Sequence, residues 1–101
     1  MILETVILDV KPGEEAAFET AFEAAKSIIA ASPGFAGLRL LRCLETVPRY
    51  LLLVEWATLE DHTVGFRGSD AYQQWRAALH HFYDPFPTVE HYAPFVDVTV
   101  A

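Results

Sequence analysis

The chain has 101 residues, 52% of them hydrophobic, which is enough for one domain with one core. Seven Lys+Arg against fourteen Asp+Glu give a formal charge of −7, which repels a phosphate backbone and argues against nucleic acid as a partner. No apolar run approaches the roughly 20 residues of a membrane span. Glu4 and Asp9 stand where a secretory signal would be positive, so the expectation is a cytoplasmic protein without a membrane partner.

Ile2 to Val10 is β-branched and partly alternating, and Lys11-Pro12-Gly13 stops it, the pattern of a strand entering a helix. From Glu14 to Ser32, Phe18, Ala21, Phe22, Ala25, Ile28 and Ile29 recur at helical spacing, while Glu15, Glu19 and Glu23 take the other face. Ser32-Pro33-Gly34 ends this helix. Phe35 to Leu44 and Tyr50 to Trp56 are apolar runs joined by a short loop, a hairpin spacing. Leu51 to Val54 does not alternate, so both faces of that strand should be covered, one by helices and one by a second subunit. An apolar composition in so small a chain points the same way. Cys43, alone and within an apolar run, reads as a small buried hydrophobe.

Thr58-Leu59-Glu60-Asp61 has the form of a capping box and predicts a short helix through about Phe66. Ser69 is the predicted N-cap of a longer helix that Pro85 ends near Tyr83 or Asp84. Val89 to Val100 is again strand-like. The order predicts a single α+β domain over residues 1–101, a ferredoxin-like split β-α-β-β-α-β arrangement with an extra short helix.

These stretches resemble the antibiotic biosynthesis monooxygenase family across nearly the whole chain. The resemblance is carried by the strand ending in Lys11-Pro12-Gly13, by Ser32-Pro33-Gly34-Phe35, and by Tyr50-Leu51-Leu52-Leu53-Val54-Glu55-Trp56 followed by Asp61-His62. Phe66-Arg67-Gly68-Ser69 leading into a helix, and a closing strand, complete it. It implies a homodimeric α+β barrel with a pocket in each subunit between sheet and helices. It also implies oxidation of small aromatic phenols, quinols or polyketide-like molecules by molecular oxygen, with no metal and no cofactor. The haem-degrading branch of the family carries an Asn on the first strand plus a Trp and a His near the long helix. Thr5, Phe66 and Arg76 stand at the positions that correspond here, a set without the His ligand, so the resemblance does not imply haem.

Such chemistry needs aromatic walls, a base and a group that stabilises an oxyanion. On a helix from Asp70 to Tyr83, Tyr72, Trp75, Leu79, Phe82 and Tyr83 share one face, with Arg76 and His80 along its edge. His80 is then the candidate base and Arg76 the candidate oxyanion partner, with Tyr72, Trp75, Tyr83, Phe82, Trp56 and His62 as candidate substrate-binding residues. The same stripe also reads as ordinary core with amphipathic side chains at its margin. His62 is expected to face solvent more readily than the pocket mouth, and Trp56 to sit in the core with an exposed edge. His80-His81 cannot both face one ion from a helix, and no familiar ligand spacing occurs, so a metal site is not expected. The alternative from another class is a non-catalytic dimeric module that binds a hydrophobic small molecule. Isomerase or dehydratase chemistry on the same barrel is a third possibility.

Overall fold

The computed structural model describes residues 1–100. β1 (Ile2–Asp9), α1 (Glu15–Ala30), β2 (Phe35–Arg42), β3 (Arg49–Trp56), a π-helical turn (Asp61–Phe66), α2 (Asp70–Leu79) and β4 (Val89–Tyr92) follow in the expected order. The strands make one antiparallel sheet in the order β2-β3-β1-β4, the ferredoxin-like α+β layout.

Period-two alternation divides this sheet into two unlike faces. Val6 and Leu8 of β1 and Tyr50, Leu52, Val54 and Trp56 of β3 turn inward. There they are covered by Phe18, Phe22, Ala25 and Ile29 of α1 and by Trp75 and Leu79 of α2. Each large apolar side chain so buried contributes roughly 1.5–3 kcal/mol. Phe18 is the hub, with the rings of Phe22, Tyr50, Phe82 and Tyr83 centred 4.9 to 5.9 Å away. The other face carries Ile7, 52% exposed, beside half-buried Leu51 and Leu53.

Both predicted caps are formed. Thr58 N–H donates to Asp61 Oδ2 at 3.1 Å and Asp61 N–H donates back to Thr58 Oγ1 at 3.2 Å. Ser69 Oγ accepts from Tyr72 N–H at 3.2 Å, opening α2. Gly34 has a φ of 81°, and the Asp61 carboxyl occupies the space a Cβ there would need, so both backbone and packing require glycine.

Four expectations are corrected. The second long helix stops at Leu79, and His80–Phe82 tighten into a 3₁₀ turn. Lys11 N–H donates to Phe82 O and Asp84 N–H to Asp9 O, both at 2.9 Å, and these bonds to the end of β1 draw the chain out of the helix. The last strand is only Val89–Tyr92, because it pairs with β1 from Leu3 to Val6 and Pro94 then lacks the N–H to extend a ladder. Residues 93–100 are exposed, Phe95 and Val98 among them. Cys43 lies just past β2 and is half-exposed, its Sγ 4.0 Å from Glu45, instead of buried within the strand. Trp56 is fully buried, with no exposed edge.

Candidate active site

A cavity of about 180 Å³ lies between the inner face of the sheet and α2. Its floor is Glu4, Val6, Leu8 and Leu52; its walls include His62, Phe66, Tyr72, Trp75, His80 and Tyr83. Arg67 and Phe86, both exposed, form part of its rim. Aromatic walls with a few converging polar groups are the usual make-up of a small-molecule site.

The most polar part of the floor was not anticipated. Glu4 is only 5% exposed, and its Oε1 accepts from the indole N–H of Trp56 at 2.9 Å. His62, 3% exposed, lies with Nε2 3.4 Å from the same oxygen and Nδ1 2.7 Å from Nε2 of His91. Its ring stacks on Trp56 at 5.3 Å. The expectation that His62 faces solvent is therefore overturned: the π-helical turn, closed by Arg67 N–H donating to His62 O at 3.1 Å, rolls the imidazole inward. Burial raises the Glu4 pKa, against smaller opposing effects of the Trp56 hydrogen bond and the Arg67 charge. Burial, then the positive charges of Arg67 and His91, lowers His62 to about 4. Burial opposes the charged form of both groups, and with His62 lowered to about 4 the 3.4 Å contact is not an ion pair. Among the described residues, no three His, Cys, Asp or Glu side chains form a metal-binding group.

Of the candidates named from sequence, Tyr72, Trp75, Tyr83, His80 and His62 come together around the cavity. His80 is held below its ordinary pKa by burial and by nearby Arg76, and its Nδ1 is buried without a hydrogen-bond partner within the chain. Trp56, Phe82 and Arg76 fall outside the lining. Trp56 lies behind the floor and orients Glu4; Phe82 packs on Phe18 and His81. Arg76 projects to solvent, where its guanidinium avoids the cost of burial. Thr5 lies on the outer face, and it is Glu4 that β1 presents to the cavity. The signal for Glu4 was present: alternation that sends Val6 and Leu8 inward sends residue 4 inward too.

A split β-α-β-β-α-β sheet with a small aromatic cavity against its helices is an α+β domain of the ferredoxin-like class. Residues 1–78 match the antibiotic biosynthesis monooxygenase family, and the chain belongs to it. It is 54% identical over 92 residues to the uncharacterized protein YczJ of Bacillus subtilis, covering 91% of this chain and 97% of that one. Among solved structures, a Bordetella bronchiseptica protein assigned to the antibiotic biosynthesis monooxygenases superposes with a TM-score of 0.89 at 34% identity. The match covers 94% of this chain and 97% of that one. The Streptomyces coelicolor monooxygenase from the gene ActVA-Orf6, solved with nanaomycin D, has a TM-score of 0.82 at 16% identity, covering 99% and 92% of the two chains. At that identity the likeness is one of fold.

Proposed function

We propose that the protein is a cofactor-independent monooxygenase that oxidises a small phenol or quinol with molecular oxygen. The observation that carries this reading is the cavity itself, where an aromatic enclosure holds Glu4, His62 and His80, all biased by burial toward their uncharged forms. An electron-rich phenolate or enolate can reduce oxygen directly. The protein's task is then to bind the substrate, remove its proton and hold the anion away from water. For a ring CH₂ activated by an adjacent hydroxyl or carbonyl, carbon–oxygen bond formation gives a hydroperoxide. Loss of water from it leaves a carbonyl, so one oxygen atom enters the product and the other leaves in water. All four electrons that O₂ accepts come from the substrate.

His80, with its unpartnered Nδ1 at the wall, is the base for the C–H proton lost with water from the hydroperoxide, and Tyr72, Trp75, Tyr83 and Phe66 form the aromatic enclosure. Arg67, on the rim, is better placed than solvent-facing Arg76 to stabilise an oxyanion. Trp56 and Phe82 serve from behind the wall. A volume of about 180 Å³ lies below the roughly 300 Å³ at which sites for drug-sized ligands begin, which favours one- or two-ring substrates over larger polyketides. The uncovered apolar outer face, with Ile7, Leu51 and Leu53, supports a homodimer joined sheet to sheet.

Oxygen uptake with mass-spectrometric product analysis, across naphthols, anthrols and quinols with an enzyme-free control, tests the reaction. Enzyme-dependent uptake, with one oxygen atom from O₂ in the product, supports it. Tight binding without uptake would assign the pocket to a binding module, and turnover without oxygen to an isomerase or dehydratase.

A further inference from the structure

Resting on that reading, the buried polar groups under the cavity have a second property: they form a continuous path out of it. Glu4 stands on the floor, its Oε1 3.4 Å from Nε2 of His62; the opposite ring nitrogen of His62 is 2.7 Å from Nε2 of His91. His91 does not line the cavity. It belongs to β4, an edge strand of the sheet, and is partly exposed. A phenolic proton taken up inside an aromatic enclosure has to reach water, and this row of three residues joins the floor to the edge.

We propose that Glu4, His62 and His91 are a proton relay, in which Glu4 takes the substrate's hydroxyl proton and His91 delivers a proton to solvent. One proton goes out and one comes back in each turnover. At the start Glu4 is a carboxylate and both imidazoles carry Nδ1–H, so that His62 Nδ1–H donates to His91 Nε2. Once Glu4 holds the substrate's proton, transfer from Glu4 to His62 Nε2, from His62 Nδ1 to His91 Nε2, and from His91 Nδ1 to water restores the carboxylate and leaves both imidazoles with Nε2–H. When oxygen has added and the peroxide anion forms, the same transfers in reverse carry a proton from water through Glu4 to that anion and restore the first arrangement. No heavy atom has to move along the path. The charged and titratable groups facing it are Arg67 from the π-helical turn and, across the cavity, Tyr72, His80 and Tyr83; Trp56 of β3 supplies a neutral donor. Burial raises the proton affinity of the Glu4 carboxylate, which suits it to take a proton, and keeps the two imidazoles neutral, each with one ring nitrogen free to accept and the other able to donate.

The relay can be tested without oxygen, on the intact protein, with 4-nitrophenol as a chromophoric probe at a pH where the free dye is mostly protonated. The expected result is growth of the nitrophenolate band on anaerobic binding, followed by release of a proton to a pH-indicator dye. Glu4→Gln retains the acceptor for Trp56 and should bind the probe in its neutral form, without the band. His91→Ala, altered at the sheet edge, should still form the band, but release the proton at least about tenfold more slowly, with rescue by added imidazole. A band that persists in Glu4→Gln, wild-type release in His91→Ala, or neutral binding or no binding by the wild-type protein would overturn the relay. Loss of oxygen uptake with the band intact would instead sink the monooxygenase reading alone.

Discussion

Tyr50 and Trp56 stand at the two ends of β3, both turned inward, and each donates a hydrogen bond to a glutamate: Tyr50 to Glu19 at 2.5 Å, Trp56 to Glu4 at 2.9 Å. At the Tyr50 end the carboxylate is open to solvent and gripped twice by Arg42, at 2.7 and 3.2 Å. Arg42, then Tyr50, pulls the Glu19 pKa down, and burial together with the Glu19 contact pushes Tyr50 up to about 12. At the Trp56 end no arginine touches the carboxylate, and burial drives Glu4 the other way. The same pairing of aromatic donor and acid is thus a surface clasp between α1 and the sheet at one end and a poised proton acceptor at the other. What separates them is water and a guanidinium, not the hydrogen bond.

The comparison breaks most severely at Trp56. Trp56→Ala should cost about 3–5 kcal/mol, because it opens a void under the core and leaves Glu4 buried without its donor. Tyr50→Phe, which removes only a hydroxyl shared with half-exposed Glu19, should cost far less; denaturant midpoints for the two variants measure the contrast. Next come effects on turnover, given the proposed reaction. Arg67→Ala and His80→Ala should each lower kcat by about 10²-fold, whereas Arg76→Ala and Arg42→Ala stay near wild type. Steady-state oxygen uptake decides this, and equal losses at Arg67 and Arg76 would undo the assignment of the cation.

Smaller effects appear in the pH dependence of stability, with opposite signs at the two glutamates. Glu4 has a folded pKa above 4.5, so it imposes no penalty below that value and an increasing one as pH rises toward the folded pKa. Glu4→Gln should be more stable than wild type at neutral pH and lose that advantage in acid. Glu19 has a lowered folded pKa, so its stabilisation is present above 4.5 and is lost as pH falls through the folded value. Glu19→Gln should be slightly less stable at neutral pH and converge with wild type in acid, the weakest change of the set because the site is exposed. His62 adds an acid-side slope of its own. Its stabilisation is complete above 6.5 and declines as pH falls toward about 4, so it should dominate the profile once Glu4 is replaced. Unfolding midpoints across this range separate the three groups.

The order of elements was legible because each boundary carries a local stop or start signal. Pro12-Gly13 and Pro33-Gly34 punctuate, Thr58 and Ser69 cap, and the switch from period two to helical spacing does the rest. Glu4 was legible only through register, which composition obscures: a lone acid in a strand suggests the wet face, while Val6 and Leu8 fix it on the dry one. His62 was not legible, since the π-helical turn that rotates it inward depends on a contact with the loop after α1. The early end of α2 is likewise set by bonds to the far end of β1, which local propensity does not encode.

That contact with Gly34 makes a bare backbone position the keystone of the site. A methyl group at residue 34 would evict the Asp61 carboxyl, release Thr58 and let the turn relax, swinging His62 away from Glu4. The proton path therefore hangs on a missing side chain in a loop that never touches the cavity, and damage to that loop would read as loss of chemistry before it read as loss of fold.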